Sequence, residues 1–317
     1  MATVNAIVFG ATGTVGAATA RTAKEQGAKV FLAVRDINKP MPNITLEKEL
    51  KEGFGRVEAD LSMPDTLLAA VTKTKATRAF IYLAPSSPDS MRSCFRALKS
   101  AGIEFVVFLS SAGVRGDPRN ATSDNAIAWA HAQAEISLEE IFEREGYVAI
   151  RPAFFATNSF WWREMIQAGD ARLLYPHARF DWISPGDIGR VCGTVLVQER
   201  PALDGPDGKY NAIRLYGPQL LSQGDGIAAI GRAINREVKI TSIDEEEFLD
   251  LLMTQMPRIW AEDLVAIQRV RAGIDDDDGF YAAPTLAEAS ANIEKYTGRL
   301  ATKFEEWLDE NKELFRA

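Results

Sequence analysis

Gly10-Ala-Thr-Gly13-Thr-Val-Gly16 stands directly behind the apolar run Val4 to Phe9 and ahead of a stretch reaching Gln26, in which Val15, Ala18, Thr22 and Ala23 recur at helical spacing. The pattern reads strand, glycine turn, helix. The three glycines do different things. Gly10 permits the tight turn, Gly13 lets the backbone approach a pyrophosphate, and Gly16 lets the helix pack close on the sheet. Unpaired N–H groups at the start of the helix then face an anion. A chain that begins this way reads as a parallel sheet with a dinucleotide at the carboxyl ends of its strands, the alternative being a glycine turn that merely joins strand to helix.

The alternation continues through strand-like Lys29 to Val34 and Arg78 to Leu83, helix-like Met91 to Ser100, and Glu104 to Leu109, which is almost continuously apolar. Unbroken apolar strands separated by helices indicate a sheet covered on both faces. Asp36 to Gly55 reads as a long surface connection with one short exposed helix over Glu47 to Glu52. Arg119 to Asp124 reads as a polar loop, Ala126 to Arg144 as one amphipathic helix, and Tyr147 to Ile150 as the next strand. After Arg151-Pro152 the rhythm loosens and aromatics crowd together. The expected architecture is therefore an α/β, Rossmann-type doubly wound parallel sheet over residues 1–152. A smaller α/β C-terminal substrate or lid domain over 153–317 follows, with some segments returning to the first sheet. Glu245 to Arg271 reads as helical and Leu300 to Leu314 as a closing helix, while Asp275 to Asp278 reads as a solvated loop.

Composition excludes several classes. The 317 residues carry 36 Lys and Arg against 44 Asp and Glu, a formal charge of −8, so no phosphate-backbone footprint is expected and nucleic acid is excluded as a partner. Cys94 and Cys192 are too far apart for a C-x-x-C pair, and His131 and His177 are the only histidines, so neither a disulfide framework nor a metal centre is expected. No basic n-region opens the chain and no window approaches 18 apolar residues, which points to a soluble, cytoplasmic monomer or homodimer without a membrane contact.

The second strand ends Val34-Arg35-Asp36, where NAD-binding sheets often place an acidic residue on the ribose 2′-hydroxyl. Arg35 suits a 2′-phosphate instead, since a guanidinium grips phosphate in a fork, and Lys39 supplies a second positive charge. NADP(H) is the expected cofactor; Asp36 facing the ribose would tip the preference toward NAD.

With these residues in place, the chain resembles the NmrA-like family of atypical short-chain dehydrogenase/reductases over nearly its whole length. The matching pieces are the glycine turn, Ala33-Val-Arg-Asp36, Glu58-Ala-Asp-Leu61, Phe108-Leu-Ser-Ser-Ala112, Arg151-Pro-Ala-Phe-Phe-Ala-Thr-Asn158, Trp182-Ile-Ser-Pro-Gly-Asp-Ile-Gly189, and Thr297-Gly-Arg299 before Phe304-Glu-Glu-Trp307. The resemblance implies cofactor contacts from Thr12, Thr14 and Val15 of the turn, from Asp60 and Leu61 beside the adenine, and from Leu83, Ala84 and Pro85 at the ribose. It also implies Ser110 and Ser111 near the nicotinamide, with Phe154, Phe155 and Asn158 on its far side. Read as structure alone, Leu83 and Phe154 belong to the core and Asp60 caps the next helix.

Reductases of the wider superfamily resemble one another in a Tyr-x-x-x-Lys pair on the helix after the fifth strand, where lysine lowers the tyrosine pKa and the phenol protonates the reduced oxygen. Here no lysine occurs between Lys99 and Lys209. His131, Glu135 and Glu139 instead recur at four-residue intervals on one helical face. His131 is the candidate acid and Glu135 the residue that orients it or holds its charge; the alternative is a solvent-facing pair of no consequence. Trp161, Trp162, Tyr175 and His177 are candidates for the substrate pocket, the last two also as proton donors, against ordinary packing between domains. Asp187 reads as the cap of a helix beginning at Ile188. The expected activity is NADPH-dependent reduction of a small aromatic or conjugated carbonyl, alkene or imine compound. A redox-sensing regulator that binds NADP(H) and engages a protein partner is the alternative, and a non-redox isomerase a third reading.

Overall fold

The computed structural model describes residues 3–198, 203, 208–276 and 278–316. Strands β1 (Asn5–Phe9), β2 (Lys29–Val34), β3 (Gly55–Glu58), β4 (Arg78–Tyr82), β5 (Phe105–Leu109) and β6 (Tyr147–Pro152) alternate with helices α1 (Thr14–Glu25), α2 (Leu46–Lys51), α3 (Pro64–Thr74), α4 (Arg92–Ser100) and α5 (Ala126–Phe142). The second half contains α6 (Arg163–Ala168), β7 (Asp170–Leu174), β8 (Arg179–Phe180), α7 (Pro185–Val197), β9 (Ala212–Leu215), β10 (Leu221–Ser222), α8 (Gln223–Ala233), β11 (Lys239–Ile243), α9 (Glu245–Met253), α10 (Arg258–Arg271), α11 (Ala283–Thr297) and α12 (Phe304–Asn311).

The main sheet has seven strands in the order β3-β2-β1-β4-β5-β6-β9, and every neighbouring pair is parallel. The chain thus moves outward in opposite directions from β1 and β4, and the glycine turn after β1 lies at this switch point, where open α/β sheets bind ligands. Successive residues of a strand face opposite layers. Ala6 and Val8 pack with α1 and α7, whereas Ile7 and Phe9 pack with α3, α4 and α5.

The two helices over the first layer meet at unusually short range. A Cβ on Gly189 of α7 would lie 2.4 Å from the Ala18 Cβ and 2.7 Å from the Val15 carbonyl of α1. One on Gly193, a turn later, would lie 2.7 Å from the Thr19 carbonyl. Only glycine at these two positions lets α7 settle on α1.

The cofactor layer is therefore not closed by residues 1–152 alone, because α7, β9 and α11 from the second half complete it. The remaining second-half elements form a lobe with its own aromatic core, in which Phe154, Trp162, Phe180, Trp182, Phe248, Phe304, Trp307 and Phe315 are buried. β7 pairs with β11 in parallel and β8 with β10 antiparallel in this lobe.

Several expectations need correction. The Asp36–Gly55 connection leads into an edge strand, β3, and Glu49 of its helix is buried rather than exposed, accepting from Arg56 and the Met41 amide. The helical stretch Glu245 to Arg271 is two helices, because Pro257 precedes α10 and cannot continue α9. The closing helix is shorter than Leu300 to Leu314, covering Phe304–Asn311 before a 3-10 turn. Ser184, not Asp187, caps α7, accepting from the Gly186 amide. Asp187 sits in the first turn and receives the Thr302 amide at 2.7 Å, fastening the segment before α12 to the cofactor layer. Among the described residues no helix is long and apolar enough to cross a membrane.

Candidate functional site

The turn after β1 is shaped by what surrounds it. Gly10 has φ +69°, and a Cβ there would press to 2.6 Å against the Tyr82 ring; one on Gly16 would lie 2.3 Å from the Gly10 carbonyl. Gly13 occupies the N-cap of α1 with no side-chain cap, and no acidic residue lies in the first turn. The helix start thus presents uncapped N–H groups and no negative charge, which fits a phosphate. Val15 is buried while Thr12 and Thr14 lie toward the surface.

Beside the turn is a recess of about 50 Å³ lined by Phe9, Gly10, Thr12, Ala33, Val34, Arg35, Ala59, Leu61 and Tyr82. Arg35 is exposed at its rim. The Asp36 carboxylate is turned away onto the Asn38 amide at 2.9 Å, closing a local turn. Lys39 is exposed, and its carbonyl accepts from Arg56 at 2.7 Å. Asp60 accepts from the amide and hydroxyl of Ser62; the amide bond foremost, with Arg35 assisting, holds its carboxyl below the usual range. Leu83 and Ala84 are half-buried and Pro85 exposed, just beyond β4.

The helix after β5 carries a different arrangement from the one its spacing suggests. Glu135 is fully buried and faces Arg151 of β6, whose Nε donates to Oε1 at 3.0 Å and a terminal nitrogen to Oε2 at 2.6 Å. Ser110 donates its hydroxyl to the same carboxylate at 2.5 Å, and Arg151 reaches the Gly116 carbonyl at 3.0 Å. Glu135 therefore ties β5, β6 and the loop after β5 together instead of orienting His131. The His131 Nδ1 lies 2.8 Å from the Ile127 carbonyl one turn back. Since a carbonyl only accepts, Nδ1 carries the proton. Burial pushes the imidazole pKa down, against upward contributions from that carbonyl and from Glu135. At neutral pH His131 is an uncharged ring with an acceptor at Nε2, a poor acid.

At the same sheet edge a cavity of about 210 Å³ opens between the two lobes. The Rossmann side contributes Ser111, Gly113 and Arg115 after β5 and Asn125 and Ile127 at the start of α5; Phe154, Asn158 and Trp161 line it from the segment after β6, which packs with the second lobe. The other side contributes Leu264, Ile267, Gln268 and Arg271 of α10, then Asp278, Phe280 and Tyr281. Of the residues singled out for a substrate pocket, only Trp161 lines this cavity. Trp162 is core, Tyr175 donates to Glu245 at 2.6 Å, and His177 is exposed, 3.2 Å from the Ala272 carbonyl. His131 is not among the lining residues, and Phe155 instead bridges to Ile183 behind the cavity.

Two groups were not apparent from sequence. Asp181, wholly buried, accepts from the Tyr281 hydroxyl at 2.5 Å, the Phe154 amide at 2.9 Å and the Gly217 amide at 2.8 Å. Burial raises its pKa to about 6 despite these bonds. At the mouth, Asp278 accepts from both terminal nitrogens of Arg271, at 2.9 and 3.0 Å, and from Arg115. Burial works to raise the Asp278 pKa, but Arg271, the Phe280 amide and Arg115 bring it to about 2. Asp278 is thus no simple solvated loop residue; Asp277 lies outside the described residues. The available hint was an aromatic pair, Phe280-Tyr281, placed in an otherwise polar loop.

The family model described as NAD(P)H-binding matches residues 10–196, from the first glycine to the penultimate residue of α7. Over 316 aligned residues the chain is 37% identical to a nitrogen metabolite regulation-like protein, bik4, of Gibberella fujikuroi, covering 95% of this chain and 94% of that one. The chain belongs to the NmrA-like family. Its NmrA-like membership places it among the atypical short-chain dehydrogenase/reductases. An NAD(P)H azoreductase of Xenophilus azovorans is 26% identical over 98% of this chain and 99% of its own. Triphenylmethane reductase of Citrobacter sp., solved with NADP(H), shares the fold at TM-score 0.68 and 15% identity, covering 96% of this chain and 99% of that one. A mutant NmrA shares it at TM-score 0.67 and 18% identity, covering 99% and 97%.

Proposed function

We propose that this NmrA-like protein is an NADPH-dependent reductase of a small conjugated carbonyl, alkene or imine compound. The reading rests on one juxtaposition: an uncapped helix start beside Arg35 and, along the same strand edge, a partly aromatic cavity between two lobes. The helix start and Gly13 would bind the pyrophosphate, Arg35 and Lys39 a 2′-phosphate, and the Leu61 and Tyr82 recess the adenine. Leu83, Ala84 and Pro85 would border the ribose, and Ser111, Phe154 and Asn158 the nicotinamide end. When bound, the nicotinamide supplies a hydride.

The chain's own part is to bind, orient and exclude water. Trp161, Phe154 and Ile127 offer apolar walls to a flat acceptor, and Asn125, Asn158 and Gln268 offer polar contacts that fix its orientation. Without a Tyr-x-x-x-Lys pair, and with His131 uncharged and outside the lining, the described residues of the cavity offer no ready proton donor to the acceptor. Such a site favours acceptors whose reduced form is a conjugated anion, as with quinones and enones, because solvent can protonate that anion afterwards. A panel of quinones, enones, imines and simple aldehydes assayed for NADPH oxidation tests this. Turnover is expected with the conjugated acceptors; tight NADPH binding without oxidation by any of them refutes it.

The 37% identity to a protein named for nitrogen metabolite regulation favours a second reading, a redox-sensing regulator that binds NADP(H) and engages a protein partner. Different partner affinity with oxidised and reduced cofactor is its expected signature, and equal affinities rule it out.

A further inference from the structure

Among the described residues that line the cavity, the charged side chains are Arg115, Arg271 and Asp278: two cations for one anion. Arg115 comes from the loop after β5, whereas Arg271 ends α10 in the other lobe. Both guanidiniums lie over the Phe280 ring, 5.0 and 4.6 Å from its centroid, and both hold the one carboxylate of Asp278. Arg271 is nearly enclosed, its side chain 8% exposed, while that of Arg115 is 42% exposed and donates to the Asp278 carbonyl at 2.7 Å as well as to its carboxylate. Of the other acids of this loop among the described residues, Asp275 is held by Arg269 outside the cavity, and Asp276 faces solvent, where its field is screened.

A guanidinium pair on an aromatic ring at the mouth of an otherwise uncharged cavity is a recognition element for a planar acid. We propose that Arg115 and Arg271 bind an acidic substituent, a carboxylate, sulfonate or phosphate, on a flat aromatic acceptor seated against Phe280. The inference rests on the cavity being the acceptor site and names its substrate class. Arg115 is the arm that exchanges part of its hold on Asp278 for the ligand, and Arg271 keeps Asp278 in place while it does so.

The test uses the full chain with NADPH present and two matched pairs of probes. Naphthoquinone sulfonate and unsubstituted naphthoquinone report the KM ratio in turnover. Naphthalene sulfonate and naphthalene methanol, which cannot be reduced, report binding by isothermal titration calorimetry, so the preference is measured even if no acceptor turns over. The acidic member of each pair is expected to bind about tenfold or more tightly, as a charge-assisted contact supplies. Arg115→Gln should erase that preference, and Asp278→Asn, which leaves both guanidiniums and removes their competitor, should widen it several-fold. A clasp that served only to hold the lobes together would be weakened alike by both substitutions. Equal affinity for acidic and neutral probes, or both variants shifting the preference in the same direction, overturns the proposal. Failure of every acceptor in the panel of quinones, enones, imines and aldehydes to oxidise NADPH, with the dead-end sulfonate still preferred, would overturn the reductase reading and leave this one standing.

Discussion

Removing the Glu135 carboxylate takes a buried counter-charge away from Arg151. Neither Glu135 nor Arg151 is exposed to solvent, and the Glu135 carboxylate accepts two bonds from Arg151, at 3.0 and 2.6 Å. Breaking one partner of a buried pair costs about 3–5 kcal/mol, because the surviving charge remains desolvated. Against a total stability of about 5–15 kcal/mol this is roughly a fifth of the whole or more. Glu135→Leu is expected near the upper end, since Ser110 loses its acceptor as well; Glu135→Gln keeps the acceptor but not the charge and should fall lower in that range. Replacing both partners, Glu135→Leu with Arg151→Met, removes charge and counter-charge together. Its cost should come mainly from the orphaned Ser110 hydroxyl and Gly116 carbonyl, about 1–3 kcal/mol each, of which Glu135→Leu alone already carries the Ser110 share. The double variant is thus predicted to be more stable than Glu135→Leu alone, with a coupling energy of about 2 kcal/mol or more. Urea unfolding at neutral pH of the wild type, both singles and the double completes the cycle. Effects that add to within about 0.5 kcal/mol would refute the reasoning and return Glu135 to a role toward His131.

Arg35→Ala should weaken NADPH binding about ten- to a hundredfold and leave NADH nearly unchanged, as one lost charge-assisted contact implies; equal titrations of the two cofactors in the wild type would defeat the assignment. Gly189→Ala brings a methyl within 2.4 Å of Ala18 and should cost about 1–3 kcal/mol by thermal or urea unfolding, despite alanine's better helix propensity. Asp181 contributes a pH dependence of definite sign. Its folded pKa of about 6 lies above the ordinary 3.8, so between those values the folded chain keeps a proton that the unfolded chain has released. Stability from this group therefore falls as pH rises from about 4 to about 6, by about 3 kcal/mol, and is flat above that. Asp181→Asn should remove this slope from the difference between urea midpoints at pH 4 and pH 7; an unchanged difference would show that Asp181 titrates normally.

The first strand and its glycine turn are readable because everything they require lies within a dozen residues and each glycine meets a separate steric demand. Arg35 is readable for the same reason, as the residue that ends a strand at a known edge. β3 escapes because an edge strand half-open to solvent, Gly-Arg-Val-Glu, lacks the apolar run that marks the buried strands. Helical spacing puts His131 and Glu135 on one face, but it carries nothing about Arg151, which approaches from a strand across the layer. Tyr281 and Asp181 are 100 residues apart and meet only once the second half of the chain has folded. Arg115 and Arg271 look like ordinary surface arginines until the fold sets both beside Phe280. Local signals thus reveal where a cofactor would sit, whereas the cavity beside it is assembled from distant pieces.

The contact between α7 and α1 also governs the order in which the molecule can be made. During synthesis the glycine turn and its helix emerge at once, yet the helix that covers them leaves the ribosome about 160 residues later, and β9 and α11 later still. Until then one flank of a sheet built to be buried on both faces stands open, a long-lived invitation to aggregation or chaperone capture. A chain stopped near residue 152 would hold the whole glycine motif and still lack the surface that steadies it, so the two halves are expected to fold only as one continuous polypeptide.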